Sequence, residues 1–115
     1  MPRDTFDKVK TSALYDVFGG TLTAKQREFL ELYCFDDLSL SEIAENASIT
    51  ASGAHDIVSR ATAKLRRLER ETGVAEKLGR LRSGLADAAA LADGLPDSRE
   101  RGLLIKLLSE VSDGV

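Results

Sequence analysis

Few side chains in this chain have the types and spacing that chemistry needs. His55 is the only histidine. It has no second His and no Cys at metal-ligand spacing. Its neighbour Asp56 stands about 100° away around a helix, too far round to orient it as a base. Asp36-Asp37 is an acidic pair, but adjacent carboxylates just ahead of a capped helix read as solvated turn residues. Gly19-Gly20 follows an amphipathic segment, where a phosphate-cradling loop would open one. Cys34 lies in the apolar run Phe29 to Phe35 and reads as a small core residue. What remains is charge. Residues 59–82 carry 8 basic and 3 acidic side chains, whereas 1–58 carry 5 and 10, and 83–115 carry 3 and 6. Arg60, Lys64 and Arg67 fall at i, i+4 and i+7, one stripe of a helix, and Arg66 and Arg70 form another. Such a row suits phosphates, and equally a solvated face paired with Glu69 and Glu71. No enzyme, cofactor or metal centre is expected from these residues.

The element that positions the charge is the stretch Leu38 to Leu65. Ser39, with Glu42 three residues on, makes a capping box at a helix start. Ile43 and Ala44 follow on the face to be buried. The polar run Asn46-Ala47-Ser48-Ile49 predicts a turn, and Thr50 a second N-cap. Beyond it Ala54, Ile57, Ala61 and Leu65 recur at helical spacing. Two short helices joined by a tight turn, with small Ala44 where they cross, make a helix-turn-helix. The face of its second helix that would meet nucleic acid is Thr50, Ser52, His55, Ser59, Arg60, Lys64 and Arg67. The leading turn offers mainly small hydroxyl residues, and Asp56 repels phosphate, so base reading is poorly equipped.

The motif LTAKQREFLELYCFDDLSLSEIAE, from Leu22 onward, resembles the YlxM family, small bacterial proteins similar to region 4 of sigma factors. The resemblance is dense from about Tyr15 to Leu68. Ser48 stands where related helix-turn-helix turns usually have Gly, and Gly53 where a better helix former is usual. Genes of that family commonly sit beside those of the signal recognition particle. The resemblance therefore implies a non-enzymatic accessory of that pathway, binding its RNA or its GTPases. A DNA-binding transcriptional regulator, or a protein–protein adaptor using the fold as scaffold, are the alternatives.

Composition agrees with an all-α chain. At 115 residues, 43% of them hydrophobic, the chain can bury a core, and with only 5% aromatic residues and no Trp that core is built of Leu, Ala, Ile and Val. A net charge of −3 argues against strong nonspecific DNA binding. One cysteine allows no internal disulfide, no stretch has the length and apolarity to span a bilayer, and the first residues lack a signal-peptide core. A cytoplasmic protein without membrane insertion is expected.

The remaining segments close the plan. Residues 5–18 read as a helix with Phe6, Val9, Ala13, Leu14 and Val17 on one stripe, stopped by Gly19-Gly20. Thr23 and Gln26 box a helix running to about Phe35, which buries Phe29, Leu30, Leu32 and Tyr33. The second motif helix runs on to near Thr72, and Gly73 ends or loosens it. A heptad ladder then follows through Leu78, Leu81, Leu85, Ala88, Ala92 and Leu95. Asp97, with Glu100, caps a last helix whose Leu104, Leu107, Leu108 and Val111 face that ladder. The expected fold is thus a wingless, sigma-region-4-like helix-turn-helix bundle over 1–72 and a C-terminal helical hairpin over 73–115. Surplus apolar residues in the hairpin mark a self-association face, Leu78, Leu81, Leu85, Leu91, Leu104 and Leu108, and hence a homodimer.

Overall fold

A computed structural model describes residues 6–115. Those residues form six α-helices and one short 3₁₀ turn, with no strand among them. The chain divides into two compact units, one up to Gly73 and one from Val74 to Val115.

Each helix of the first unit starts where a side chain can satisfy its open N–H groups. The Asp7 carboxylate accepts from the Lys10 N–H at 3.0 Å and opens α1, Lys8–Phe18. Gly19–Thr21 is the 3₁₀ turn. Thr23 and Gln26 form a reciprocal capping box on α2, Ala24–Cys34, and Ser39 and Glu42 do the same on α3, Leu40–Asn46. Hydrogen bonds from Ser39 hold the Glu42 carboxyl below the usual carboxylate range. Thr50 caps α4, Ala51–Thr72, by accepting from the Gly53 N–H at 2.9 Å. A Cβ on Gly53 would come within 3.2 Å of that same Thr50 oxygen, so the glycine that weakens the helix gives the cap room. Gly73, at φ 64, takes the left-handed conformation and donates its N–H to the Glu69 carbonyl, which ends α4.

The core is a spine on α4. Ala54, Val58, Ala61 and Leu65 are all fully buried, and α1, α2 and α3 each pack against that helix. Leu14 and Phe18 come from α1, Phe29, Leu30 and Tyr33 from α2, and Ile43 and Ala44 from α3. Two sequence expectations shift phase here. Val58, with Thr62, occupies the buried line where Ile57 was expected, and Ile57 is half-buried at its edge. In α1 the inward stripe is Thr11, Leu14 and Phe18, while Val9 and Ala13 point to solvent. Thr5, the expected start, lies outside the described residues. Leu32 and Cys34 are half-buried rather than core.

The second unit is a hairpin of α5, Val74–Asp93, and α6, Arg99–Asp113. Ser98, not Asp97, caps α6: its hydroxyl accepts from the Arg101 N–H at 3.0 Å. The α6 residues half-buried against α5 are Arg101, Ile105 and Leu108, whereas Leu104, Leu107 and Val111, expected to face the ladder, are exposed. The two helices thus meet along a face rotated from the expected one.

The turn between α3 and α4 invites two substitutions. Ser48 sits at φ 57, a conformation that costs an L-residue about 1–2 kcal/mol. Ser48→Gly should therefore raise the unfolding free energy of the intact chain in a urea titration, by up to about 1 kcal/mol after the added freedom of the unfolded chain is subtracted. Ala44→Leu should lower it by roughly 1–3 kcal/mol through overpacking at the crossing. An Ala44→Leu chain as stable as its parent would mean that Ala44 is not at a tight crossing.

Candidate nucleic-acid interface

The turn and the buried spine together decide which α4 residues look outward. At its N-terminal end the Thr50 hydroxyl is occupied by the cap, and Ser52 is exposed. His55 is exposed, but one side of its ring rests on Phe6, with centroids 5.3 Å apart, and Phe6 meets Tyr33 edge-on at 5.9 Å. Ser59 is half-buried and its carbonyl accepts from the Thr62 hydroxyl at 3.0 Å. The side chains left for base edges are the short hydroxyls of Ser52 and Ser59 and the uncovered side of His55.

The cations divide by what already holds them. Arg60 pairs with Asp56 across one helical turn at 3.0 Å, with both side chains largely in solvent. An exposed pair of this kind is worth little and opens easily to another anion. Lys64 is different: its ammonium donates to the Thr21 carbonyl at 2.6 Å, 43 residues away in sequence, and so ties α4 to the 3₁₀ turn. Arg66, Arg67 and Arg70 are exposed and form no ion pair among the described residues. Arg66 also borders a cleft of about 210 Å³ between α1 and α4, lined besides by Asp7, Lys10, Thr11 and Leu14. Lys10 therefore adds a cation from α1 beside the α4 row. No periodicity in the sequence signals this, because it arises from α1 packing on α4.

Other charged groups serve the scaffold. Lys8 pairs with Asp37 at 2.8 Å, which holds the Asp37 carboxyl below its usual range, and the same ammonium lies 4.5 Å over the Tyr33 ring. Tyr15 donates to the Glu31 carboxylate, and partial burial with that carboxylate pushes its hydroxyl up to about 12. Burial likewise pushes the Cys34 thiol up, away from the thiolate a nucleophile needs. No group of three or more His, Cys, Asp or Glu among the described residues is placed to hold a metal. Among those residues, no helix is long and apolar enough to cross a membrane.

Comparison with known proteins places this architecture among relatives. A family model described as "Putative helix-turn-helix protein, YlxM / p13 like" matches residues 6–92, from the start of the described chain nearly to the end of α5. A UPF0122 protein of Desulforamulus reducens is 35% identical over 111 residues, covering 90% of this chain and 95% of its own length. One from Clostridium kluyveri is 28% identical over 109 residues, covering 95% and 98%. One from Acetivibrio thermocellus is 43% identical over 72 residues, 62% of each chain.

The two roles of the α4 cations can be separated by stability alone. Lys64→Ala removes the Thr21 bond and should lower unfolding free energy by about 0.5–1.5 kcal/mol. Arg67→Ala, with no ion pair to lose, should stay within about 0.5 kcal/mol of the parent in the same urea titration.

Proposed function

The chain belongs to the YlxM/p13-like helix-turn-helix family, and from that premise we propose that it is a non-enzymatic nucleic-acid-binding protein whose partner is structured RNA. The observation that carries this reading is the set of exposed arginines on one helix, Arg60, Arg66, Arg67 and Arg70 on two neighbouring stripes, with Lys10 beside Arg66. Guanidinium groups suit phosphate oxygens, which they meet in two-pronged fashion. The same helix is poor in groups that read bases. The Thr50 hydroxyl is spent on the cap and His55 rests one side of its ring on Phe6, which leaves mainly the short hydroxyls of Ser52 and the half-buried Ser59. An interface rich in phosphate donors and poor in base readers fits a ligand recognised by backbone and shape, as folded RNA is. Base-specific DNA regulation would ask for Arg, Lys, Asn or Gln near the leading end of α4. Sequence resemblance to the YlxM family puts the signal recognition particle's RNA first among the RNAs to test, and its GTPases next.

Recognition by charge and shape makes a definite forecast. Reversing Arg60, Arg67 and Arg70 to Glu together should abolish binding to a folded RNA in a filter or polarisation assay, with the helix content of the chain unchanged. Ser52→Ala with His55→Ala should change that affinity less than about threefold, since a short hydroxyl and a ring half-covered by Phe6 add little to a contact made mainly through phosphates. Retained binding by the triple variant would overturn the reading. Loss of discrimination among DNA sequences by the Ser52/His55 pair would point instead to a DNA regulator.

A further inference from the structure

The second unit is built unlike the first. Among its 42 residues, 74–115, only Ala92 is fully buried. A two-helix hairpin with so small a core does not hold itself together; units of about 40 residues need added staples or oligomerisation. The chain has a single cysteine, in the other unit, so no disulfide supplies one. Its apolar residues are present, but on the outside. Leu81, Leu91, Leu104, Leu107 and Val111 are 39–74% exposed.

These outward residues are ordered. On α5, Leu81, Gly84, the half-buried Ala88 and Leu91 recur at steps of 3, 4 and 3, a second heptad line beside the one that meets α6. On α6, Leu104, Leu107 and Val111 recur at steps of 3 and 4. The inward residues are Leu78, Leu85 and Ala92 on one helix and Arg101, Ile105 and Leu108 on the other. At about 100° per residue, each outer line lies roughly a quarter-turn from its inward face, in the same rotational sense. The helices run antiparallel. The Arg101 guanidinium donates to the Ala92 and Asp93 carbonyls at 3.2 Å each, and at the other end Arg82 donates to the Val115 carbonyl at 3.2 Å. In an antiparallel pair, equal rotations bring both outer lines to one side of the hairpin. Of the six residues expected to self-associate, Leu78, Leu85 and Leu108 are thus turned toward the hairpin interior, and Leu81, Leu91 and Leu104 lie on this outer side.

We propose that this outer face pairs with the same face of a second copy of the chain, closing a four-helix bundle. Shape, area and charge each favour a second copy as the occupant. The anchoring contacts put Ala88 level with Leu107 and Gly84 level with Val111. A two-fold axis parallel to the helices lays α6 of one copy over α5 of the other, so Leu107 meets Ala88 and Val111 meets Gly84, while Leu91 meets Leu104. Large facing small is how bundle layers interdigitate. Five large apolar side chains, 39–74% exposed and aligned on one side, make a strip of the size that marks an interaction site. The unit carries 6 basic and 7 acidic side chains, so two copies meet without strong repulsion.

Sedimentation equilibrium on the intact chain tests this. The parent is expected to be a dimer at micromolar concentration. Ala88→Glu and Leu107→Lys should each weaken it at least about a hundredfold, because each buries an unpaired charge at both contacts of the two-fold interface. An equimolar mixture of those two chains should recover dimer. In the mixed pair the new carboxylate at position 88 faces the new ammonium at position 107, while the second Ala–Leu contact stays intact. Ser109→Lys, on the opposite side of α6, should leave the dimer unchanged and shows that an added lysine is tolerated. A fully helical parent that stays monomeric at high concentration overturns the proposal. So does a Leu107→Lys chain that dimerises as tightly as the parent, or a mixture no more dimeric than its components.

Discussion

Everything in the first unit leans on one apolar line of α4, Ala54, Val58, Ala61 and Leu65, which no water reaches. Its alternation of small and larger residues lets three other helices approach a single one. Ile43 and Ala44 press on it from α3, Phe29, Leu30 and Tyr33 from α2, and Leu14 and Phe18 from α1. Because that line faces in, the opposite side must face out, and on it stand the arginines. The candidate face is therefore a consequence of the core rather than a separate construction. The turn at Ser48 sets where α4 begins, and Thr50 and Gly53 set how it is capped.

The two units solve burial in opposite ways. In the first, most large apolar residues find a neighbour within the same chain. In the second, α5 and α6 carry more apolar surface than one another's faces can cover. Ala92 is the sole fully buried position there, among leucines that remain largely open. Such an arrangement is stable when something covers it. On the proposals above, the first unit meets an anionic ligand and the second meets protein.

What could be read from the sequence was what is local. The boxes Thr23/Gln26 and Ser39/Glu42 and the Thr50 cap depend on residues three apart, and each helix starts where they stand. Phase was harder. In α1, Val9 and Ala13 are as apolar as the true stripe, so the pattern does not show that Thr11 and Phe18 are the buried pair. In α4, Ile57 and Val58 are adjacent apolar residues, and only packing from three sides selects Val58. In the hairpin, leucines exceed what one face holds, so composition left the inward face undecided between Leu104 and Ile105. At the candidate site, Arg60, Lys64 and Arg67 do share a stripe by spacing. That Lys64 is spent on the Thr21 carbonyl, and that Lys10 arrives from α1, are matters of tertiary contact that no local spacing encodes.

If α4 meets a nucleic acid through phosphates, salt must weaken the complex and base sequence must matter little. The most direct measurement is the affinity of the intact chain for a folded RNA across a salt series, repeated on an RNA of the same secondary structure and scrambled sequence. Each phosphate contact is expected to contribute roughly 0.7–0.9 to the slope of log affinity against log salt. Three or four arginines should then give a slope steeper than about −2, and the two RNAs should lie on nearly one line. An affinity that barely responds to salt, or one that collapses on scrambling, would contradict it.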